Sequence, residues 1–223
     1  MGALASDDQQ LFITTHSSSV LNRLGIEALQ FLGPAAPVKL DELSTGTVGY
    51  FKKLPGFDTL RLVLADKIVL VEGPSDEIIF ERVFVDLFGK RPMACGIDVV
   101  SMRGLSLARG LELCHRLGKK VAATRDNDGI DPTELRRPLA PWLAAGQREV
   151  FIGEVAHGHT LEPQMIHHCG EAQLRTILGI ADTANLETWM TRQKTEAALR
   201  IASSSEAVTA PAYMLQAAKF IHG

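Results

Sequence analysis

A short apolar run, Val69-Leu70-Val71, ends on a carboxylate, Glu72, turns through Gly73-Pro74 and enters a helical pattern at Ser75-Asp76-Glu77. A second run, Lys120-Val121-Ala122-Ala123-Thr124, leads into Arg125-Asp126-Asn127-Asp128-Gly129. A carboxylate at the C-terminal end of a parallel strand lies at the edge where open α/β sheets bind ligands. In an extended segment alternate residues project to the same side, so the spacing predicts that Asp126 and Asp128 face one cation. Oxygen donors of this kind suit Mg²⁺ or Mn²⁺. Each motif alone has an ordinary explanation. An Asp in a first helical turn offsets the helix dipole, and Asp-Asn-Asp-Gly is turn-forming composition. Neither explanation accounts for Glu72.

The elements that must position these groups alternate between strand-like and helix-like patterns, which predicts an α/β domain with a largely parallel sheet. Strands are expected at 67–71, 98–101, 120–124 and 148–152, and helices at 75–88 and 105–117. Asp58 reads as the N-cap of a helix ending near Ala65. Residues 130–145 read as partly helical, broken at Pro138 and Pro141. Further helices are expected over 171–178, 186–201 and 213–221, where spaced apolar positions suit amphipathic packing. Ahead of this block, 11–15 reads as a buried strand, and 28–32 and 38–40 as two short ones.

A chain of 223 residues with 46% hydrophobic content can bury one substantial core or one core with a small appendage. Its apolar runs are interrupted by charge well before the ~20 residues that a membrane span needs. The first eight residues lack a positive region followed by a long apolar one, so a cytoplasmic protein is expected. Cys95, Cys114 and Cys169 are odd in number and widely spaced, which argues against a disulfide framework and a thiolate zinc site. The formal net charge of −3 does not exclude a nucleic-acid partner, because metals held by carboxylates can supply the positive field.

The motif order, a strand ending in Glu-Gly, a helix, a strand, a helix and a strand ending in Asp-x-Asp, resembles the Toprim fold. Glu72 matches the family's glutamate, and Asp126 and Asp128 match its Asp-x-Asp; Arg125 departs from the apolar residue common before that pair. Toprim domains occur in type IA and type II topoisomerases, bacterial primases, small RNA-maturation nucleases and the overcoming-lysogenization-defect (OLD) nucleases. Leu11-Phe12-Ile13-Thr14-Thr15-His16-Ser17 looks like the last core strand and switch histidine of an ABC-type ATPase, with His16 as the histidine. No phosphate-binding Gly-x-x-x-x-Gly-Lys-Ser/Thr accompanies it. Gly158-His159-Thr160-Leu161-Glu162 resembles the segment that gives OLD nucleases a further carboxylate, Glu162. The string from Lys194 to Arg200 resembles the lysine-bearing helix of the class 2 members.

The resemblance implies an α/β Toprim domain with a mostly parallel sheet flanked by helices, plus a helical insert or C-terminal helical part. Residues 1–56 would be the end of an ATPase domain and a linker, and residues 57–223 the Toprim nuclease domain. The implied activity is DNA cleavage with two Mg²⁺ or Mn²⁺ ions divided among Glu72, Asp76, Asp126, Asp128 and Glu162. Glu72 and Lys194 would act directly in catalysis, and Arg103, Lys119, Lys120 and Arg125 would contact DNA phosphates. The expected partners are DNA and an N-terminal ATPase domain, with homo-oligomerisation through that domain.

Two rival readings stay open: a topoisomerase or primase module, and a non-catalytic metal-stabilised DNA-binding domain. Tyr50 and Tyr213 have no sequence context that recommends either as a nucleophile. The group His157, His159, His167, His168 and Cys169 has no common structural zinc spacing, so zinc is not expected there, and His157 and His159 are expected to be near phosphate or solvated. Ser17, Ser101 and Cys169 lack a nucleophile-elbow setting. Trp142 and Trp189 are expected to pack in apolar faces.

Overall fold

A computed structural model describes residues 13–15, 17, 20, 29–32, 37–40, 42–52, 56–102 and 107–223. A two-stranded antiparallel ribbon, β1 (Gln30–Leu32) and β2 (Pro37–Lys39), comes first. Helices α1 (Thr45–Phe51) and α2 (Gly56–Leu64) follow. The central block runs β3 (Lys67–Val71), α3 (Pro74–Phe88), β4 (Ile97–Ser101), α4 (Leu107–Arg116) and β5 (Lys120–Arg125). After it come a short α5 (Pro132–Arg136), a 3-10 segment at Arg137–Trp142 and β6 (Arg148–Ile152). The chain ends in five helices: α6 (Leu161–Cys169), α7 (Glu171–Leu178), α8 (Leu186–Arg192), α9 (Lys194–Ser203) and α10 (Ala212–His222).

The four main strands form one parallel sheet in the order β4-β3-β5-β6. Both faces are covered, which is why the strands read as nearly continuous apolar runs rather than alternating ones. Ile68 and Leu70 of β3, with Val121 and Ala123 of β5, pack against Leu62, Leu107, Leu111 and Cys114 on one face. Val69, Val71 and Ala122 pack against Phe80, Phe84, Ala217, Ala218 and Ile221 on the other. The chain steps from β3 to β4 in one direction through α3, then back past β3 to β5 through α4 on the opposite face, so the two crossovers have the same hand, as the rule for parallel strands requires. This reversal places a topological switch point between the C-terminal ends of β3 and β5, where ligands of open sheets bind.

The C-terminal helices form a second core. Ile79 and Val83 of α3 pack with Leu161, Met165, Leu174, Leu178, Leu186, Met190, Ala197, Ala198 and Ile201. Arg82 fastens this layer by donating to the carbonyls of Ile201, Ser204 and Glu206, each at 2.7 Å. The described part of 29–52 joins the first core instead, through Leu40, Leu43 and Phe51. There, Glu112 of α4 accepts from the Ser44 backbone N–H at 2.6 Å and from the Ser44 and Thr47 hydroxyls, capping α1 from a distant helix.

Four elements differ from the sequence expectations. Residues 13–15 are exposed and carry no strand, because none of the described residues pairs with them; the strand expected over 11–15 is not seen there. His16 and Arg103 lie outside the described residues. The helix expected over 186–201 is two helices, broken at Gln193, whose φ of −118° and ψ of 39° end α8 and start α9 on a new axis. Helices α1 and α6 were not expected. Trp142 and Trp189 do pack against the two cores. Among the described residues no helix is long and apolar enough to cross a membrane.

Candidate active site

The switch point carries an acidic cleft of about 280 Å³, lined by Glu72, Asp76, Asp126, Glu162 and Lys194 with Gly73, Pro74, Ser75, Leu161 and Thr195. Glu72 follows the last residue of β3, Asp126 follows β5, Asp76 sits in the first turn of α3 and Glu162 in the first turn of α6. The fold thus brings together carboxylates up to 90 residues apart in sequence, from Glu72 to Glu162.

Local structure fixes each group. Gly73 is the N-cap of α3, and its backbone N–H donates to Asp76 Oδ2 at 3.1 Å. Asp76 therefore performs the capping role that its position allows while also lining the cleft. A Cβ at residue 73 would lie 3.3 Å from that same oxygen, a tight contact that Asp76 would have to yield to. The Asp126 backbone, at the neighbouring strand end, favours the ionised form of Glu72 slightly. Glu162 is buried, its Oε2 accepting from Thr160 Oγ1 at 2.8 Å and its Oε1 lying 3.3 Å from Lys194 Nζ. Asp126 Oδ1 is buried and has no hydrogen-bond partner among the described residues.

Burial and mutual repulsion raise the proton affinity of this cluster. Burial first, and then the charges of Asp76, Glu72 and Glu162, push Asp126 up to about 8. Glu72 rises to about 7, mainly through burial and the charge of Asp76, against the opposing pull of Arg125. Asp76 rises to about 6, chiefly by burial, with Glu162 adding to the shift. Carboxylates held this way, with a buried oxygen lacking a donor, are a donor set that a hard divalent cation satisfies.

Asp128 is arranged differently from the expectation. Its φ of 50° is left-handed, so the segment is not extended there and Asp128 is exposed at the rim rather than in the cleft lining. Its charge still reaches Glu72. The residue between the two aspartates, Asn127, is fully buried. Its Nδ2 donates to the carbonyls of Gly153 and Gly158, and its Oδ1 accepts from the Gly129 N–H at 2.8 Å. Gln164 donates to Glu154 O and to the same Gly158 carbonyl. Gly158 itself has φ of 113°, and a Cβ there would meet Pro163 at 2.4 Å. Asn127, Gln164 and Gly158 thus fold the 153–160 loop that leads into the cleft, where Glu162 is held by Thr160. Sequence reasoning missed Asn127 and Gln164; a buried amide at the centre of Asp-x-Asp-Gly was the available signal.

The basic residues proposed for DNA do not gather. Arg125 Nε lies 3.6 Å from Glu72 Oε1, beside the cleft. Lys119 and Lys120 stand at the N-terminal end of β5, about 20 Å or more along the strand from Asp126. Lys119 is buried with its ammonium 5.0 Å from the Phe31 ring, and Lys120 lies 5.2 Å from the Phe220 ring. Both serve the far edge of the sheet, since an apolar cover over a lysine stem also removes it from a phosphate surface. Tyr213 is buried, and its hydroxyl has no hydrogen-bond partner among the described residues. Burial, and then the charges of Asp126, Asp76, Glu72 and Glu162, hold it well above its ordinary range.

Comparison with known proteins finds similarity in the fold. Residues 63–128 match the family described as overcoming lysogenization defect protein-like, TOPRIM domain. The C-terminal region of the Burkholderia pseudomallei OLD protein superposes with a TM-score of 0.54 at 21% identity, covering 71% of this chain and 97% of that one. The corresponding region of the Xanthomonas campestris pv. campestris OLD protein gives 0.49 at 20% identity, covering 71% and 95%, a likeness too loose to carry weight. No curated protein matches the chain. The matched segment contains Glu72, Asp76, Asp126 and Asp128 together with the strands that carry them, and over residues 63–128 this chain is similar to the OLD-like TOPRIM domain.

Proposed function

We propose that this chain is the catalytic part of a metal-dependent DNA endonuclease, hydrolysing phosphodiesters with two Mg²⁺ or Mn²⁺ ions. The observation that carries the reading is the convergence of Glu72, Asp76, Asp126 and Glu162 with Lys194 on one cleft at the switch point between β3 and β5. Glu72, Asp76, Asp126 and Glu162, with Asp128 at the rim, would hold the ions. When bound, such a pair supplies a nucleophilic water at neutral pH and stabilises charge on the phosphate.

The protein's own groups do the rest. Thr160 orients Glu162 by donating to one of its oxygens, leaving the other toward Lys194. Lys194, half-exposed at the start of α9, can turn from Glu162 to a phosphate and offset the charge that develops during displacement. Arg125 keeps Glu72 more acidic than its burial alone would. The DNA is held mainly through phosphates, so cleavage has little sequence preference. The OLD-type neighbours are C-terminal regions, which supports a longer protein with an N-terminal part. In this reading that part is an ATPase domain, to which His16 would belong and through which the protein would oligomerise in the cytoplasm.

Plasmid DNA incubated with the protein and Mn²⁺ separates this reading from its rivals. Nicked and then linear product supports hydrolysis, relaxed closed circles support a topoisomerase, and retardation without product supports a binding module. The topoisomerase reading is the weaker one, because Tyr213 is buried and the Tyr50 hydroxyl donates to Met102 O at 2.8 Å.

A further inference from the structure

A second cluster lies outside the acidic cleft. His157 ends a 3-10 turn at Val155–His157, and His167 and His168 occupy the last turn of α6. One ligand atom from each of these three imidazoles lies within 4.8 Å of the others. The His157 and His167 rings stack at 3.8 Å and 14°, and His168 stands edge-on to both at 5.0 Å. His157 Nδ1 is buried without a hydrogen-bond partner among the described residues, and the Glu154 carboxylate lies 3.5 Å from it.

From this geometry we propose that His157, His167 and His168 form a site for a Zn²⁺-class transition-metal ion, with Glu154 as a fourth ligand or as the group that orients His157. Three imidazoles are the donor set that Zn²⁺ prefers, whereas the oxygen-rich cleft suits Mg²⁺ or Mn²⁺, so the two sites sort ions by chemistry. Burial, and then the charges of His157 and His167, hold His168 below its ordinary range, and neutral imidazole is the metal-binding form. At a Zn–N distance of about 2.0–2.1 Å, tetrahedral nitrogens stand roughly 3.3 Å apart. Reaching that from 4.8 Å requires ring rotation, which the exposure of His167 permits. The absence of a familiar zinc spacing in the sequence is no obstacle, because the ligands come from a turn and a helix that only the fold brings together.

An ion here would clamp the 155–157 turn to the end of α6. The segment between, Gly158 to Thr160, feeds the acidic cleft: the His159 carbonyl accepts from the Asp128 N–H at 3.0 Å, and Thr160 holds Glu162. The site would stiffen the loop that positions these carboxylates. The proposal stands independently of the nuclease reading, since it concerns only the imidazole cluster.

The test is Zn²⁺ calorimetry on the whole chain with Mg²⁺ in excess, comparing wild type, His167→Ala, His157→Ala and Asp126→Asn. The expected result is one Zn²⁺ retained by wild type and Asp126→Asn, with binding about tenfold or more weaker in the histidine variants. Exposed His167 is the variant that decides if His157→Ala fails to fold. Substituted Co²⁺ should give the intense visible absorption of tetrahedral coordination in wild type but not in His167→Ala. Zn²⁺ binding that is unchanged by His167→Ala, or that is lost only with Asp126→Asn, overturns the proposal.

Discussion

Lys194 Nζ lies 3.3 Å from Glu162 Oε1, joining the first residue of α9 to the first turn of α6 across the acidic cleft. The pair exists because the backbone breaks at Gln193; a continuous helix from Leu186 would not begin a new axis at Lys194. It also supplies the acidic partner that Lys194 lacks at helical spacing on its own face.

Lys194→Ala should lower the single-turnover cleavage rate at saturating DNA by roughly 10²–10³-fold, the range for one well-placed charge donor. Lys219→Ala, at an exposed lysine of α10 that does not line the cleft, should change it little. Equal losses in the two variants would reduce Lys194 to a part of the general field that attracts DNA.

The raised carboxylates set a pH dependence of stability. Asp126, Glu72 and Asp76 bind protons more tightly folded than unfolded, with folded values of about 8, about 7 and about 6. Their contribution is therefore fully present below the unfolded carboxylate range near pH 4 and is lost as pH rises through the folded values. The metal-free melting temperature should fall from about pH 5 to about pH 9, and saturating Mg²⁺ should flatten that fall by competing with protons. A metal-free melting temperature that climbs steadily over this range would contradict the assigned electrostatics.

Asn127→Ala removes a fully buried amide and leaves the Gly153 carbonyl and Gly129 N–H short of a partner. Each orphaned buried group costs about 1–3 kcal/mol, so a loss of roughly 2–4 kcal/mol is expected in denaturant unfolding. Cleavage should fall as well, because the 153–160 loop that carries Thr160 loses its anchor.

Tyr213→Phe deletes a buried hydroxyl that has no partner among the described residues, so thermal stability should be unchanged or higher. Plasmid cleavage should persist, with no protein left covalently attached to the DNA. Loss of all cleavage together with a covalent adduct in wild type would restore the transesterification reading.

Much of the fold was legible because the sheet is buried on both faces. Residues 67–71 and 120–124 read as strands from uninterrupted apolar side chains, and Glu72 and Asp126 stood out where those runs stop. Helix α6 was hidden because Pro163 occupies its first turn, where a missing N–H costs nothing, while His167 and His168 blur its apolar stripe. Asp128 was misplaced because alternation assumes an extended backbone, and a left-handed φ there turns it to the rim. Lys119 was misread because its cover, Phe31, comes from the distant β1 ribbon. Asn127 was passed over for the same kind of reason: the carbonyls it binds belong to Gly153 and Gly158, 26 and 31 residues away.

The central claim is that the cleft carboxylates hold divalent ions that hydrolyse DNA, and Asp126 lies at its heart with one buried oxygen unpartnered among the described residues. The most direct measurement is Mn²⁺-dependent plasmid nicking by wild type and Asp126→Ala, with melting curves recorded without metal. The account predicts that the variant loses nicking while its metal-free melting temperature stays equal or rises, because a repelling buried carboxylate has been removed. Wild-type nicking by a folded Asp126→Ala at saturating Mn²⁺ would contradict it.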